Sequence, residues 1–166
     1  RLLAWSTVEN AGIIGVGIGL GMLGRARGDQ AMAVLGYGAA LLHCVNHFVA
    51  KSLLFFGAGS VYAATGTRDL ERLGGLAKRM PITAAAFIAG SAAICALPPF
   101  GCFVAEFCLY LGALGAGTAP SGAAAAIFAV ASLALIGALS LVAFVKADGI
   151  AFLGEPRSET ARGARE

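Results

Sequence analysis

Polar residues are sparse along this chain and fall into short clusters that separate long apolar runs. The first run covers Leu2 to Gly24, interrupted by Ser6, Thr7, Glu9 and Asn10, and the second covers Ala31 to Ala64. A third opens at Pro81, a residue suited to a first helical turn, and continues to Leu97. Pro98-Pro99-Phe100-Gly101 then breaks any continuous helix. A short run from Cys102 to Gly115 and a long one from about Gly122 to Leu153 complete the series. A bilayer core about 30 Å thick takes about 20 apolar residues of helix, so most of these runs are long enough to cross. The second exceeds that length, which predicts tilt or emergence of its last turns. Lipid cannot hydrogen-bond bare backbone, so the runs are expected to be helices. The double-proline break is expected to be sheltered by protein or to line a wet cavity.

The expected fold class is an all-α polytopic bundle of about five membrane helices, one broken at Pro-Pro. Residues 1–154 form the membrane domain and 155–166 a polar tail. The loops fall at Arg25 to Gln30, Thr65 to Met80 and Gly115 to Ser121. Gly15, Gly17, Gly19 and Gly21 give two overlapping G-x-x-x-G spacings suited to close helix approach. The chain opens at Arg1 and turns apolar at once, which reads as a piece of a longer protein. With five crossings, Arg25, Arg27, Arg157, Arg162 and Arg165 share one side, and Arg1, Arg68, Arg72, Lys78 and Arg79 the other. That tie leaves the orientation open.

Composition sharpens the class. The 166 residues are 58% hydrophobic and 13% charged, with a mean hydropathy of +0.83. A soluble domain of this size cannot hide so much apolar surface. The net charge of +3 is scattered, which excludes a nucleic-acid partner. Cys44, Cys95, Cys102 and Cys108 form no metal or disulfide spacing and read as small buried hydrophobes. Gly19, Gly21 and Gly24 match a dinucleotide fingerprint, but no strand precedes them. The sequence carries no covalent or hydrolytic motif, no metal cluster and no ligands for iron-sulfur clusters or haem, so no catalytic, metal or cofactor-binding residue is assigned.

The chemistry lies in the few charges inside the apolar runs, because each costs a few kcal/mol to insert. His43, His47 and Lys51 recur every four residues. At 100° and 1.5 Å per residue they form one stripe about 12 Å long, with neighbours spaced for one bridging water each. Imidazole accepts on one nitrogen while donating on the other, and a desolvated lysine releases its proton more readily. The triplet therefore reads as a proton relay, with Asn46 helping to hold water. Glu106, seven residues beyond Pro99, is the expected acidic terminus. Glu9 reads as either a polar helix contact or a counter-charge to Lys51. Lys146 is a secondary candidate that could instead snorkel to the interface, and Asp148 reads as interfacial.

These residues carry a resemblance. Trp5 to Asn10, His43 to Ser60 with its His-x-x-x-His-x-x-x-Lys core, the loop Gly66 to Leu76, and Leu97-Pro98-Pro99-Phe100 with Phe103 and Glu106 resemble the antiporter-like membrane subunits of the respiratory complex I superfamily. Glu9, the loop wording, Phe144-Val145-Lys146 and Phe152 to Ser158 look closest to the large membrane subunit of formate hydrogenlyase and group-4 hydrogenases. The resemblance implies part of a proton- or sodium-moving subunit of about fourteen helices built from inverted repeats. It would lie in the inner (plasma) membrane beside other membrane and peripheral subunits that hold the electron carriers. It also implies that His43, His47 and Lys51 belong to a central hydrophilic axis and that Glu106 leads to its exit. Whether such a chain counts as an enzyme depends on that larger complex. At the bend this chain departs from the more frequent Pro-Pro-Phe-Asn-Gly-Phe with serine before the glutamate, placing Gly101, Cys102 and Ala105 there. Two rival readings are a subunit of a multisubunit cation/proton antiporter without a redox partner, and a non-conducting structural subunit.

Overall fold

The computed structural model describes residues 1–116 and 123–166. It contains α1 (Leu2–Arg27), α2 (Gln30–Thr65), α3 (Pro81–Ile94), α4 (Gly101–Ala116), α5 (Ala123–Phe152) and a short α6 (Glu159–Gly163). No strand occurs among the described residues. The connection expected at Gly115 to Ser121 lies, from 117 onward, outside them.

Local chemistry sets the helix ends. α1 stops at Gly28, whose φ of 71° is left-handed, and α2 starts at Asp29, whose carboxylate accepts from the Met32 amide at 3.0 Å. The two helices form an antiparallel hairpin. Small residues let them touch: a methyl group on Gly36 would collide with the Gly21 amide, and one on Gly24 with the Ala33 amide. Gly17 and Gly21 face α2, whereas Gly15 and Gly19 meet no neighbour within 4 Å, so one of the two glycine spacings packs this seam. α2 runs 36 residues without interruption, about 54 Å at 1.5 Å per residue, which overshoots a bilayer core.

α1, α2 and α5 are each long and apolar enough to cross a membrane. α3 and α4 are shorter, at 14 and 16 residues, about 21 and 24 Å, and they solve the length problem jointly. Phe87 lies against Gly57, Gly90 against Leu54, Gly101 against Asn46 and Gly112 against Leu35. As the chain advances through α3 and α4, its partners on α2 recede steadily, so the two stack end to end as one discontinuous element antiparallel to α2. The interruption spans Cys95 to Phe100, with Ala96 at φ 51° and a cis Pro98-Pro99 bond.

This stacking changes the expected count of crossings. The five apolar helices are present, but two of them share one passage through the membrane, and the tail returns to the side of the 66–80 loop. The Gly75 amide donates to the Leu153 carbonyl at 2.9 Å, Ser158 Oγ donates to the Arg72 carbonyl at 2.7 Å, and Lys78 pairs with Glu155 at 3.0 Å. Ala161 and Ala164 are buried against Leu73, Leu76, Met80 and Phe152. Sequence alone placed the loop and the tail on opposite sides, because a proline break does not reveal whether the chain turns back or carries on.

Candidate functional site

α2 presents His43, His47 and Lys51 on one stripe, toward α1 and the interruption. His43 is fully buried and Lys51 is 7% exposed, while His47 is half-buried. The imidazole rings stack with centroids 6.4 Å apart and planes 18° apart, the spacing expected of residues one helical turn apart.

α1 supplies the partner of His43. Asn10 donates its Nδ2 to the Ser6 carbonyl at 2.9 Å, which leaves Oδ1 facing His43 Nε2 at 2.9 Å. His43 therefore donates from Nε2, and its Nδ1 is free to take a proton. Four buried polar atoms find no protein partner among the described residues: Ser6 Oγ, His43 Nδ1, His47 Nδ1 and Lys51 Nζ. All belong to α1 and α2 around the same stripe.

The carboxylates flank it. Glu106 is buried on α4, and the pairings of Gly101 with Asn46 and Gly112 with Leu35 set it at the depth of His43. Glu9 is half-buried on α1, shares a cleft with Ser140 of α5, and lies within electrostatic reach of both Lys51 and Glu106. Glu9 thus has both a polar neighbour in Ser140 and a cation within electrostatic reach in Lys51, so both of the roles the sequence left open stay available to it. Asn46 hydrogen-bonds the Leu42 carbonyl at 2.9 Å and fills the space beside Gly101 at the start of α4. A cleft of about 290 Å³ between α1 and α5 reaches Ser6, Glu9, Ser140 and Phe144.

Other residues depart from expectation. Lys146 is exposed on α5, about 200° around the helix from Phe144 and Asp148, and is not brought to the stripe. Asp148 is half-buried near the end of α5 and accepts a 3.2 Å hydrogen bond from the buried Ser91 Oγ of α3, a partner the sequence did not suggest. The missed signal is the four-residue spacing of Ser140, Phe144 and Asp148 along α5, which places them on one face. Cys95 and Cys102 are buried as expected, whereas Cys44 is exposed on α2.

The family model described as NADH:quinone oxidoreductase/Mrp antiporter, transmembrane, matches residues 1–134. The chain is 45% identical to hydrogenase-4 component B of Escherichia coli (strain K12), over 100% of this chain and 25% of that protein. It is 43% identical to formate hydrogenlyase subunit 3 of the same strain, over 99% of this chain and 27% of that one. The structure of the Mrp complex from Dietzia sp. DQ12-45-1b superposes with a TM-score of 0.66 at 33% identity, covering 76% of this chain and 23% of that chain. The chain spans about a quarter of the length of these curated relatives. Their names make them components of multisubunit assemblies. With its apolar helices, buried basic stripe and broken α3–α4 element, this is a multi-pass membrane chain that belongs to the NADH:quinone oxidoreductase/Mrp antiporter transmembrane family.

Proposed function

We propose that this segment is the proton-conducting part of a membrane subunit in a redox-driven complex of the hydrogenase-4 and formate hydrogenlyase kind. The supporting observation is the alignment of His43 Nδ1, His47 Nδ1, Lys51 Nζ and Ser6 Oγ, all buried and without protein partners among the described residues. An unpaired buried polar group costs about 1–3 kcal/mol. Four along one stripe are stable only if water satisfies them, and water bridging titratable groups is a proton path.

In this reading His43 keeps its Nε2 proton on Asn10 and exchanges protons with water at Nδ1. Lys51 holds a proton in the field of the Glu9 carboxylate and releases it toward the histidines when that electrostatic pairing weakens. Glu106, on the half-helix after the interruption, receives the proton. Partner subunits hold the electron carriers and drive the change in pairing.

The test uses the full-length subunit in its intact complex, reconstituted into vesicles, with Lys51→Met. Ions moved per electron transferred are counted with a pH dye and, separately, with a sodium probe. Loss of coupled movement supports the proposal, and an unchanged ratio contradicts it. A second reading, an antiporter subunit without a redox partner, is favoured by the likeness to the Mrp complex. Purification with or without electron-carrying subunits separates the two.

A further inference from the structure

A second polar line runs beside the stripe, on the seam between α3 and α5. Ser91 Oγ donates to Asp148 Oδ1 at 3.2 Å, and Cys95 Sγ lies 3.9 Å from Ser140 Oγ. Ser140 in turn lines the same cleft as Glu9, which lies within electrostatic reach of Lys51. Cys95, at the C-cap of α3, lies one turn beyond Ser91, and Ser140 and Asp148 are eight residues, about 12 Å, apart on α5. The line thus has an outer station, Asp148 with Ser91, and an inner one, Ser140 with Cys95 and Glu9. The outer station is nearer the end of the bundle formed by the 66–80 loop and the tail, since α5 ends at Phe152 and the Leu153 carbonyl accepts from Gly75.

Phe144 lies midway between them. Its side chain is 1% exposed and packs with Ala50, Leu54, Ile94 and Cys95. The residue also borders the cleft that reaches Glu9 and Ser140.

Resting on the proposed conduction along the stripe, we infer that Asp148 and Ser91 form the proton-uptake site feeding Glu9 and Lys51, and that Phe144 is the apolar plug separating this site from the axis. One proton passes from water to the Asp148 carboxylate on the loop-and-tail face. With the Phe144 ring displaced, water bridges Asp148 to Ser140 and the proton reaches the Glu9 carboxylate, while Asp148 returns to its anion. No electron moves in this step. The dry ring between the stations prevents the proton from leaking back when Lys51 is discharged.

The first test is independent of pumping. In the full-length subunit within its complex, Cys44, Cys95, Cys102 and Cys108 are replaced by serine, and single cysteines are introduced as Asp148→Cys or Ser140→Cys. A membrane-impermeant cationic methanethiosulfonate is applied to each face of sealed vesicles. Asp148→Cys is expected to react from the loop-and-tail face only, and Ser140→Cys to react from that face only when Phe144→Ala is also present. Protection of Asp148→Cys from that face, or equal reactivity of Ser140→Cys with and without Phe144→Ala, overturns the inference.

The second test counts ions per electron for Asp148→Asn, with Asp148→Glu as the conservative rescue. Loss in Asp148→Asn with recovery in Asp148→Glu supports the uptake site. Loss in Lys51→Met with full retention in Asp148→Asn removes the uptake site and leaves the axis standing. Retention in both variants removes the axis itself.

Discussion

The Nε2 of His43 and the Oδ1 of Asn10, 2.9 Å apart in a fully buried contact, fix which way a histidine inside the membrane faces. The carboxamide cannot flip, because its Nδ2 already donates to the Ser6 carbonyl. Nε2 must therefore carry a proton, and Nδ1 is left toward the stripe.

Replacing Asn10 with leucine strands that N–H in apolar surroundings, at a cost of about 1–3 kcal/mol. Asn10→Leu is expected to lower the thermal stability of the purified subunit and to slow ion movement. Asn10→Asp should instead hold His43 protonated, blocking exchange at Nδ1 while largely sparing stability. Comparing thermal unfolding with ion flux for the two variants checks the assignment, and equal behaviour of the two would count against it.

The seam between α1 and α2 has no room for a methyl group at Gly36, because the Gly21 amide and the Gly17 carbonyl are already there. Gly36→Ala is expected to destabilise by about 1–3 kcal/mol through overpacking. Gly19→Ala and Gly38→Ala, where nothing lies within 4 Å, should leave stability the same or raise it by up to about 1 kcal/mol through helix propensity. Unfolding in detergent would show the contrast.

At the break, Gly101 and Asn46 compete for one volume. Restoring the more frequent asparagine with Gly101→Asn is expected to destabilise the start of α4, and adding Asn46→Gly to relieve much of that penalty. A double-mutant cycle on unfolding midpoints should return a coupling between the sites of more than about 0.5 kcal/mol. Additive effects would show that the close approach carries no energy.

Continuity of α3 and α4 also breaks the tie in loop charge. Arg1, Arg68, Arg72, Lys78, Arg79, Arg157, Arg162 and Arg165 gather at one end, against Arg25 and Arg27 at the other. The positive-inside tendency then predicts a cytoplasmic 66–80 loop and tail. Impermeant labelling of cysteines introduced at Thr67 and Thr160 should occur from the cytoplasmic face, and at Arg27 from the opposite face. Labelling of Thr67 and Thr160 from different faces would rule out a single α3–α4 crossing.

The sequence made some of this legible and concealed the rest for identifiable reasons. Charges that are costly in lipid announce themselves, so His43, His47, Lys51 and Glu106 stood out, and the four-residue spacing gave the first three a shared face. What depended on partners from distant elements did not show. The two half-helices stack because Gly57, Leu54, Asn46 and Leu35 of α2 offer successive seats, a relation that no run of hydropathy contains. Asp148 lies close to the end of its apolar run, where interfacial solvation is the ordinary expectation, and its hydrogen-bond partner Ser91 comes from another helix. Glu9 was visible as a charge, but the Ser140 that shares its cleft comes from α5, 131 residues further along the chain, and no local pattern announces it.

The central claim is that the buried stripe is wet. A cryo-electron microscopy map of the intact subunit sharp enough to place water would test it most directly. Ordered water is expected within hydrogen-bonding distance of His43 Nδ1, His47 Nδ1, Lys51 Nζ and Ser6 Oγ, continuing to Glu106. A map showing these atoms closed in by apolar side chains, with no water between Lys51 and Glu106, would contradict it.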